Sequence, residues 1–299
     1  MKLGILAVYM VREEHEKLLE LHLSRIEQHT TVPYTIYGSA NRLLPQYRQR
    51  LKQHPKVRLH ELPATDLRGP EEHSYYLERL VRLAIEDGAS HIVTLHVDSF
   101  PIRDGWVEAL IGKLSASCVF STIAGINTAC LVFHRDFYVK YRPTFLLSEE
   151  EQKSAKYKKY FQEVAPIRHS GIGYGFKAYQ EGLSWHYMRK SSRYAELDGP
   201  AIYDDLVFHL RGAVSLFVVP SPRTPGLLRK IGYTRFESFL RVMRAIIPTP
   251  IKLLLRARFD RPLKFLIDRP RIALEVGHMV AACDRLLQDP ASYIEQLRG

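Results

Sequence analysis

Short apolar runs alternate with stretches of helical periodicity along the first 100 residues, and this alternation most constrains the fold. The runs have the length and apolar content of buried strands: residues 3–9, 34–38, 57–62 and 91–95. The stretches between them include residues 18–26 and 71–86, which carry leucine, isoleucine and valine at the spacing of an amphipathic helix. A repeated strand–helix–strand order predicts an α/β fold, with a Rossmann-like, mostly parallel central sheet flanked by helices.

The pattern continues beyond residue 100 with less regular spacing. Further strands are predicted at residues 119–123 and 128–134, and apolar stretches occur at 201–208 and 214–220. Further helices are predicted at residues 106–114 and 171–182. Residues 148–163 are rich in Glu, Lys, Gln and Tyr, which predicts an exposed helix or a mobile loop.

A domain boundary is predicted at residues 220–225, where Pro-Ser-Pro-Arg-Thr-Pro interrupts any regular element. We therefore divide the chain into an α/β domain over residues 1–222 and a basic, amphipathic helical tail over residues 223–299. In the tail, arginine and lysine alternate with apolar residues and few acids. Such a helix can lie in an anionic membrane interface, or it can pack on the α/β domain with a solvated basic face.

The net charge limits the classes of partner. Forty-three Lys and Arg residues against 32 Asp and Glu give +11 at pH 7 and a pI near 9.5. That balance favours phosphate-bearing partners: nucleic acid, an anionic membrane, or a nucleotide or polyprenyl-phosphate ligand. Nucleic acid is the weakest of these predictions, because aromatic residues do not alternate with the basic ones as in a recognised nucleic-acid module.

Cysteine usage and the N-terminus indicate a cytoplasmic protein. The three cysteines, Cys118, Cys130 and Cys283, lack metal-ligand spacing and are interpreted as buried thiols in a reducing compartment. The first apolar run is interpreted as a strand rather than a signal peptide. The sequence contains no run of about 18 apolar residues, so no membrane-spanning helix is predicted. We expect a cytoplasmic protein, peripheral on the inner membrane face if the tail binds lipid.

Several common chemistries are disfavoured by missing motifs. No Gly-x-Gly-x-x-Gly follows the first strand, and the sequence contains no Walker Gly-Lys-Ser, no Gly-x-Ser-x-Gly and no His-Glu-x-x-His. These absences disfavour dinucleotide oxidoreductases, typical methyltransferases, P-loop nucleotidases, α/β-hydrolases and zincin proteases.

The most informative stretch is residues 92–106, where a buried strand is followed by an acid, a proline and Gly-Trp. Asp98 comes shortly after the strand, and Pro101 then turns the chain outward. Since ligands of open α/β sheets bind at the carboxyl ends of strands, Asp98 is expected at the mouth of the sheet. A carboxylate there can bind Mg²⁺ or Mn²⁺.

This stretch resembles the GT-A-fold glycosyltransferases, in particular the family-2-like type of bacterial polysaccharide and cell-envelope synthesis. The resemblance extends over residues 1–220 and is best in the helix-Gly-strand-Asp-Pro-Gly-Trp succession of residues 71–106. It implies that Asp98 binds a metal and the nucleotide sugar, with His96 standing where the family has a first Asp. It also implies that His209 completes the metal site.

The same resemblance implies roles for further residues. The loop after the first strand, with Tyr9 and Arg12, would contact the nucleotide. His73 and Ser74, near the start of the third helix, would contact the donor, although Ser74 also fits a helix cap. For the general base of an inverting transfer the candidates are Asp204 and Asp205, with a turn-forming role as the alternative. His169 stands where related enzymes often carry an acid.

The predicted function is transfer of a sugar from a nucleotide-diphosphate donor to a hydroxyl acceptor, which could be lipid-linked. Two alternatives stay open at this point. One is a non-catalytic protein that binds an anionic surface or nucleic acid. The other is a nucleotidyltransferase of similar architecture, although residues 11–14, Val-Arg-Glu-Glu, are too acidic for its usual phosphate-binding loop.

Overall fold

The computed structural model describes residues 1–11, 16–41, 43–67, 69–123, 125–164, 170–192, 200–210 and 281–298. A mixed seven-stranded sheet in the order β3-β2-β1-β4-β7-β6-β8 lies at its centre. Its strands are β1 (Leu3–Val8), β2 (Tyr34–Ser39), β3 (Val57–His60), β4 (His91–Leu95), β6 (Cys118–Ile123), β7 (Asn127–His134) and β8 (Ser184–Met188). Four neighbouring pairs are parallel, and only the two pairs that β7 makes are antiparallel.

Helices cover both faces of this sheet, as a buried parallel sheet requires. They are α1 (Glu16–His29), α2 (Pro45–Gln53), α3 (Pro70–Glu86), α4 (Trp106–Ile111), α5 (Arg135–Tyr141), α6 (Glu149–Lys153), α7 (Ala155–Glu163) and α8 (Ile172–Gln180). Two apolar clusters result. The first contains core residues of α1, α2 and α4, and the second those of α3, α5, α7 and α8.

A second, three-stranded antiparallel sheet lies beyond the carboxyl end of β4. It consists of β5 (Ser99–Pro101), β9 (Ala201–Tyr203) and β10 (Val207–His209), with β10 in the middle. Its apolar side chains, such as Phe100 and Phe208, are fully buried and belong to the first cluster. This small sheet therefore shares its core with one face of the large sheet.

The last described residues pack on the small sheet. Residues 281–288 are helical, and α9 (Pro290–Leu297) follows after one residue. Tyr293 meets Phe208 edge-on, with ring centroids 6.3 Å apart, and Cys283 is buried in the first cluster. The C-terminal part of the predicted tail is thus packed against the α/β domain. The predicted boundary at residues 220–225 and the basic stretch up to residue 280 lie outside the described residues.

The predicted α/β fold and the mostly parallel sheet are confirmed. Sequence periodicity missed α2, β5 and β8, because α2 is polar and the two strands are short. The expectation of an exposed helix or loop at residues 148–163 was partly wrong. Two short helices form there, capped by Ser148 and Ser154, and Tyr157 and Tyr160 are buried. Residues 214–220 lie outside the described part. Among the described helices, none is long and apolar enough to cross a bilayer.

Candidate metal centre

The turn between β4 and β5 holds His96 and Asp98. The backbone N–H of Ser99 donates to the carbonyl of His96 at 3.0 Å, and the hydroxyl of Ser99 accepts from the N–H of His96 at 2.8 Å. These bonds turn the chain sharply after the buried strand. Asp98 is only 2% exposed, although it carries a carboxylate.

Strand β10 brings His209 to the same place. His209 pairs with Ser99 across the small sheet, and the N–H of Leu210 donates to the carbonyl of Asp98 at 2.9 Å. His209 Nε2 lies 3.7 Å from Asp98 Oδ2, and His96 Nδ1 lies 3.9 Å from Asp98 Oδ1. One ligand atom from each residue falls within 4.8 Å of the others. The structure therefore brings together the three residues for which a metal role was predicted, 113 residues apart at the extremes.

The donor set fits a divalent transition metal. Two imidazoles and one carboxylate leave coordination positions for other oxygen atoms. Neighbouring ligands about 2.1 Å from an octahedral ion lie about 3 Å from each other. The three ligand atoms, which lie within 4.8 Å of one another, would therefore have to move closer together to bind one ion. Imidazole nitrogen is a better ligand for Mn²⁺ and its neighbours in the periodic table than for Mg²⁺, which prefers oxygen. Of the two predicted cations, the donor set thus favours Mn²⁺.

His73 and Ser74 lie on α3, beside this triad. The His73 ring meets the His96 ring edge-on, with centroids 4.8 Å apart, and burial lowers the pKa of His73 to about 4. Ser74 is buried and donates to the carbonyl of Ser170 at 3.2 Å. The alternative that Ser74 caps the helix was wrong, because α3 begins at Pro70 and Gly69 is in the N-cap position.

Tyr9 lies directly after β1 but points into the core. Its ring is fully buried, meets His22 edge-on at 5.9 Å, and would lie 2.8 Å from a Cβ at Gly38. Burial raises the pKa of the Tyr9 phenol well above its ordinary value. Only the backbone of Tyr9 is placed to meet a ligand at the end of β1. Arg12 and His169 lie outside the described residues.

Asp204 and Asp205 are the two central residues of the turn between β9 and β10, in which the N–H of Leu206 donates to the carbonyl of Tyr203 at 2.9 Å. Both have positive φ, 49° and 57°, as the central residues of a type I′ turn require, and aspartate tolerates this conformation. Asp204 accepts from the N–H of Arg189 at 2.9 Å, and Asp205 pairs with Arg298 at 2.9 Å. The turn is at the opposite end of β10 from His209. Their assignment as general base stays a prediction, and their observed contacts are those of the alternative, turn-forming role.

No protein-family model and no curated protein sequence matches this chain. The chain is similar to a number of solved structures, including these two. A mannosyltransferase from Pyrobaculum calidifontis, solved with GDP-Man and Mn²⁺, superposes with a TM-score of 0.36 at 10% identity, over 46% of this chain and 46% of that one. TarS of S. aureus gives 0.38 at 10% identity, over 52% of this chain and 32% of that one. The matched region thus spans less than half of either protein, and a likeness of this size assigns no reaction.

Sequence analysis missed Thr128, Ser170 and His22, which surround the triad. Thr128 Oγ1 lies 3.1 Å from His96 Nε2 and is also hydrogen-bonded to the hydroxyl of Ser170. His22 stabilises the turn between β4 and β5, because its Nδ1 donates to the carbonyl of Ser99 at 3.1 Å. Their spacing in the sequence gave no signal, since His22 lies on α1, Thr128 lies on β7 and Ser170 lies two residues before α8.

Proposed function

We propose that this chain is a metal-dependent glycosyltransferase that moves a sugar from a nucleotide-diphosphate donor to a hydroxyl acceptor. The observation that carries the proposal is the buried triad of His96, Asp98 and His209 at the carboxyl end of β4. Two sites of the chain, distant in sequence, converge there on one set of ligand atoms. Two imidazoles and a carboxylate are common ligands of divalent transition metals, which favours a binding role over a structural one.

The position of the triad in the sheet also supports a nucleotide ligand. Strand order reverses between β1 and β4, since the chain proceeds from β1 to β2 and β3 on one side and returns to β4 on the other. Ligands of open α/β sheets bind in the crevice outside the carboxyl ends of the strands at such a point. A nucleotide placed there would lie against the backbone after Tyr9 and against His73, with its phosphates toward the triad. Arg12 remains a proposed partner of the diphosphate.

The triad would hold Mn²⁺, which would bind the donor diphosphate and stabilise the charge that accumulates on it as the leaving group. The chain's own side chains set the charge of this site. Asp98 supplies the carboxylate of the triad, and an imidazole that binds a metal does so in its neutral form. A divalent ion held there keeps a net positive charge, which attracts a diphosphate.

His73 adds shape rather than charge. With a pKa near 4 its imidazole is neutral at pH 7, and its ring packs edge-on against His96. This contact restricts the rotation of the His96 ring. The proposal does not depend on Asp204 or Asp205 as the base that takes the proton of the acceptor hydroxyl.

We further propose that the basic stretch before residue 281 binds an anionic membrane surface and brings the site to a lipid-linked acceptor. In support, the described residues on both sides of this stretch pack at the small sheet that holds His209. The Leu210 N–H donates to the Asp98 carbonyl at 2.9 Å, and Tyr293 meets Phe208 edge-on. Binding to phosphatidylglycerol vesicles should fall when Arg256, Arg258 and Arg261 are replaced by Gln. Undiminished binding would refute the membrane role.

The transferase proposal is tested by calorimetry of the full chain against a panel of nucleoside diphosphates, with and without Mn²⁺. We expect one nucleoside diphosphate to bind only with Mn²⁺, and the binding to be lost in Asp98→Ala. Donor hydrolysis or transfer with the matching nucleotide sugar would then identify the sugar.

Two results would redirect the assignment. Release of pyrophosphate from a nucleoside triphosphate would indicate a nucleotidyltransferase instead. A folded protein that binds no member of the panel would favour the non-catalytic alternative, in which the basic residues bind an anionic surface.

A further inference from the structure

The hydrogen-bonding of His96 distinguishes its two ring nitrogens. Nδ1 faces the triad, 3.9 Å from Asp98 Oδ1, and Nε2 faces away from it, 3.1 Å from Thr128 Oγ1. A neutral imidazole carries one N–H and one lone pair, and the hydrogen bond at one nitrogen decides which atom can ligate a metal.

The surroundings of Thr128 fix its position, so its hydroxyl can determine which ring nitrogen of His96 carries the proton. It is fully buried in β7, and its backbone carbonyl accepts from the Thr94 hydroxyl of β4 at 2.7 Å. Its own hydroxyl also contacts the hydroxyl of Ser170. A hydroxyl has one hydrogen to donate. If Thr128 donates it to Ser170, Thr128 can only accept from His96, so Nε2 carries the proton.

We propose that Thr128, supported by Ser170, is a positioning residue that holds His96 in the tautomer whose Nδ1 lone pair faces Asp98 and His209. This inference rests on the proposed metal centre. The competing tautomer carries its proton on Nδ1, which can then donate to the Asp98 carboxylate. That bond would engage His96 and Asp98 with each other, so neither atom could bind a cation. By accepting from Nε2–H, the Thr128 hydroxyl disfavours this competing tautomer.

Mn²⁺ binding to the full chain, followed through the EPR signal of free Mn²⁺, tests the inference. We expect Thr128→Val, which removes the hydroxyl at nearly constant volume, to weaken binding by about 10- to 100-fold, the usual effect of losing such an outer partner. Thr128→Ser should restore binding to within a few-fold of the wild type. Ser170→Ala should weaken it less than Thr128→Val. At saturating Mn²⁺, pulsed EPR of Thr128→Val should show one fewer histidine nitrogen coupled to the ion.

Thr122→Val is the matched control. Thr122 is also fully buried in the large sheet, and within the described part of the chain its hydroxyl donates to the backbone carbonyls of Ile123 and Asn127. Wild-type Mn²⁺ affinity in Thr128→Val, or an equal loss in Thr128→Ser and Thr128→Val, would overturn the role of Thr128 alone. No Mn²⁺ affinity in the wild type would overturn the metal centre itself. Should Thr128→Val not fold, Ser170→Ala and Thr128→Ser decide, and the inference fails if Ser170→Ala binds as the wild type does.

Discussion

Replacing Asp98 by Asn tests the metal centre most directly. The substitution keeps the size of a side chain that is 2% exposed and removes the carboxylate charge of the triad. The Coulomb attraction between that charge and a dication about 2.2 Å away is about 15 kcal/mol at an effective dielectric constant of about 20, and the desolvation of both ions offsets most of it. Partial compensation by solvation still leaves an expected loss of at least about 100-fold in Mn²⁺ affinity.

Thermal unfolding with and without Mn²⁺ measures this loss. At a free Mn²⁺ concentration of about 100 Kd, binding stabilises the wild type by about 2.7 kcal/mol, which raises Tm by roughly 4 °C in a chain of 299 residues. After a 100-fold loss, the same concentration stabilises Asp98→Asn by about 0.4 kcal/mol, or roughly 1 °C. Because each variant is compared with itself, any change in metal-free stability cancels.

The control is Asp104→Asn, which removes a carboxylate from another His–Asp pair. Asp104 Oδ1 lies 2.7 Å from His29 Nδ1, outside the triad. Its variant should keep the full Mn²⁺-dependent rise in Tm. An undiminished rise in Asp98→Asn, or an equal loss in both variants, would refute the assignment of Asp98 as a metal ligand.

Three further substitutions test the fold around the site. Asp205→Asn, which tolerates the positive φ of the turn, should lower the unfolding free energy by less than about 1 kcal/mol and leave Mn²⁺ binding unchanged; lost binding would contradict the turn-forming role. Gly173→Ala would put its Cβ 1.9 Å from the carbonyl oxygen of Thr144, so denaturant titration should show a loss of about 1–3 kcal/mol. His22 has a pKa near 4, below its unfolded value near 6.5, so its contribution is full above pH 6.5 and falls by about 3 kcal/mol as the pH drops to 4. His22→Phe should flatten this dependence of unfolding free energy on pH, and an unchanged slope would assign it to other groups.

Periodicity was enough to predict six of the seven strands of the large sheet but not the small sheet. The strands β1, β2 and β4 are apolar runs of five or six residues, and each is buried over most of its length. The small sheet has strands of three residues, which are too short to show alternation. Its pairing depends on contacts between residues about 100 positions apart, and no local pattern contains that information.

Site prediction divided in the same way. Asp98 could be predicted because it follows a strand whose end faces the crevice, and this position is a local property of the sequence. Tyr9 follows an equally clear strand, but its ring turns into the core, where Gly38 leaves room for it. The direction of a side chain after a strand depends on packing, which the sequence pattern does not specify. Thr128 and Ser170 had no signal because their importance comes only from the contact of Thr128 with His96 and of Ser170 with Thr128.

The structure makes folding of the small sheet a condition for the metal centre. His209 reaches Asp98 only because β10 pairs with β5, and the same pairing joins the Leu210 N–H to the Asp98 carbonyl. Behind β10, Phe208 packs against Tyr293 of α9, so the C-terminal residues support the strand that delivers a ligand. A cation bound by all three residues would link the end of β4 to this sheet. Its binding free energy would then stabilise the small sheet and the C-terminal helices together, since the ligands converge only when both have folded.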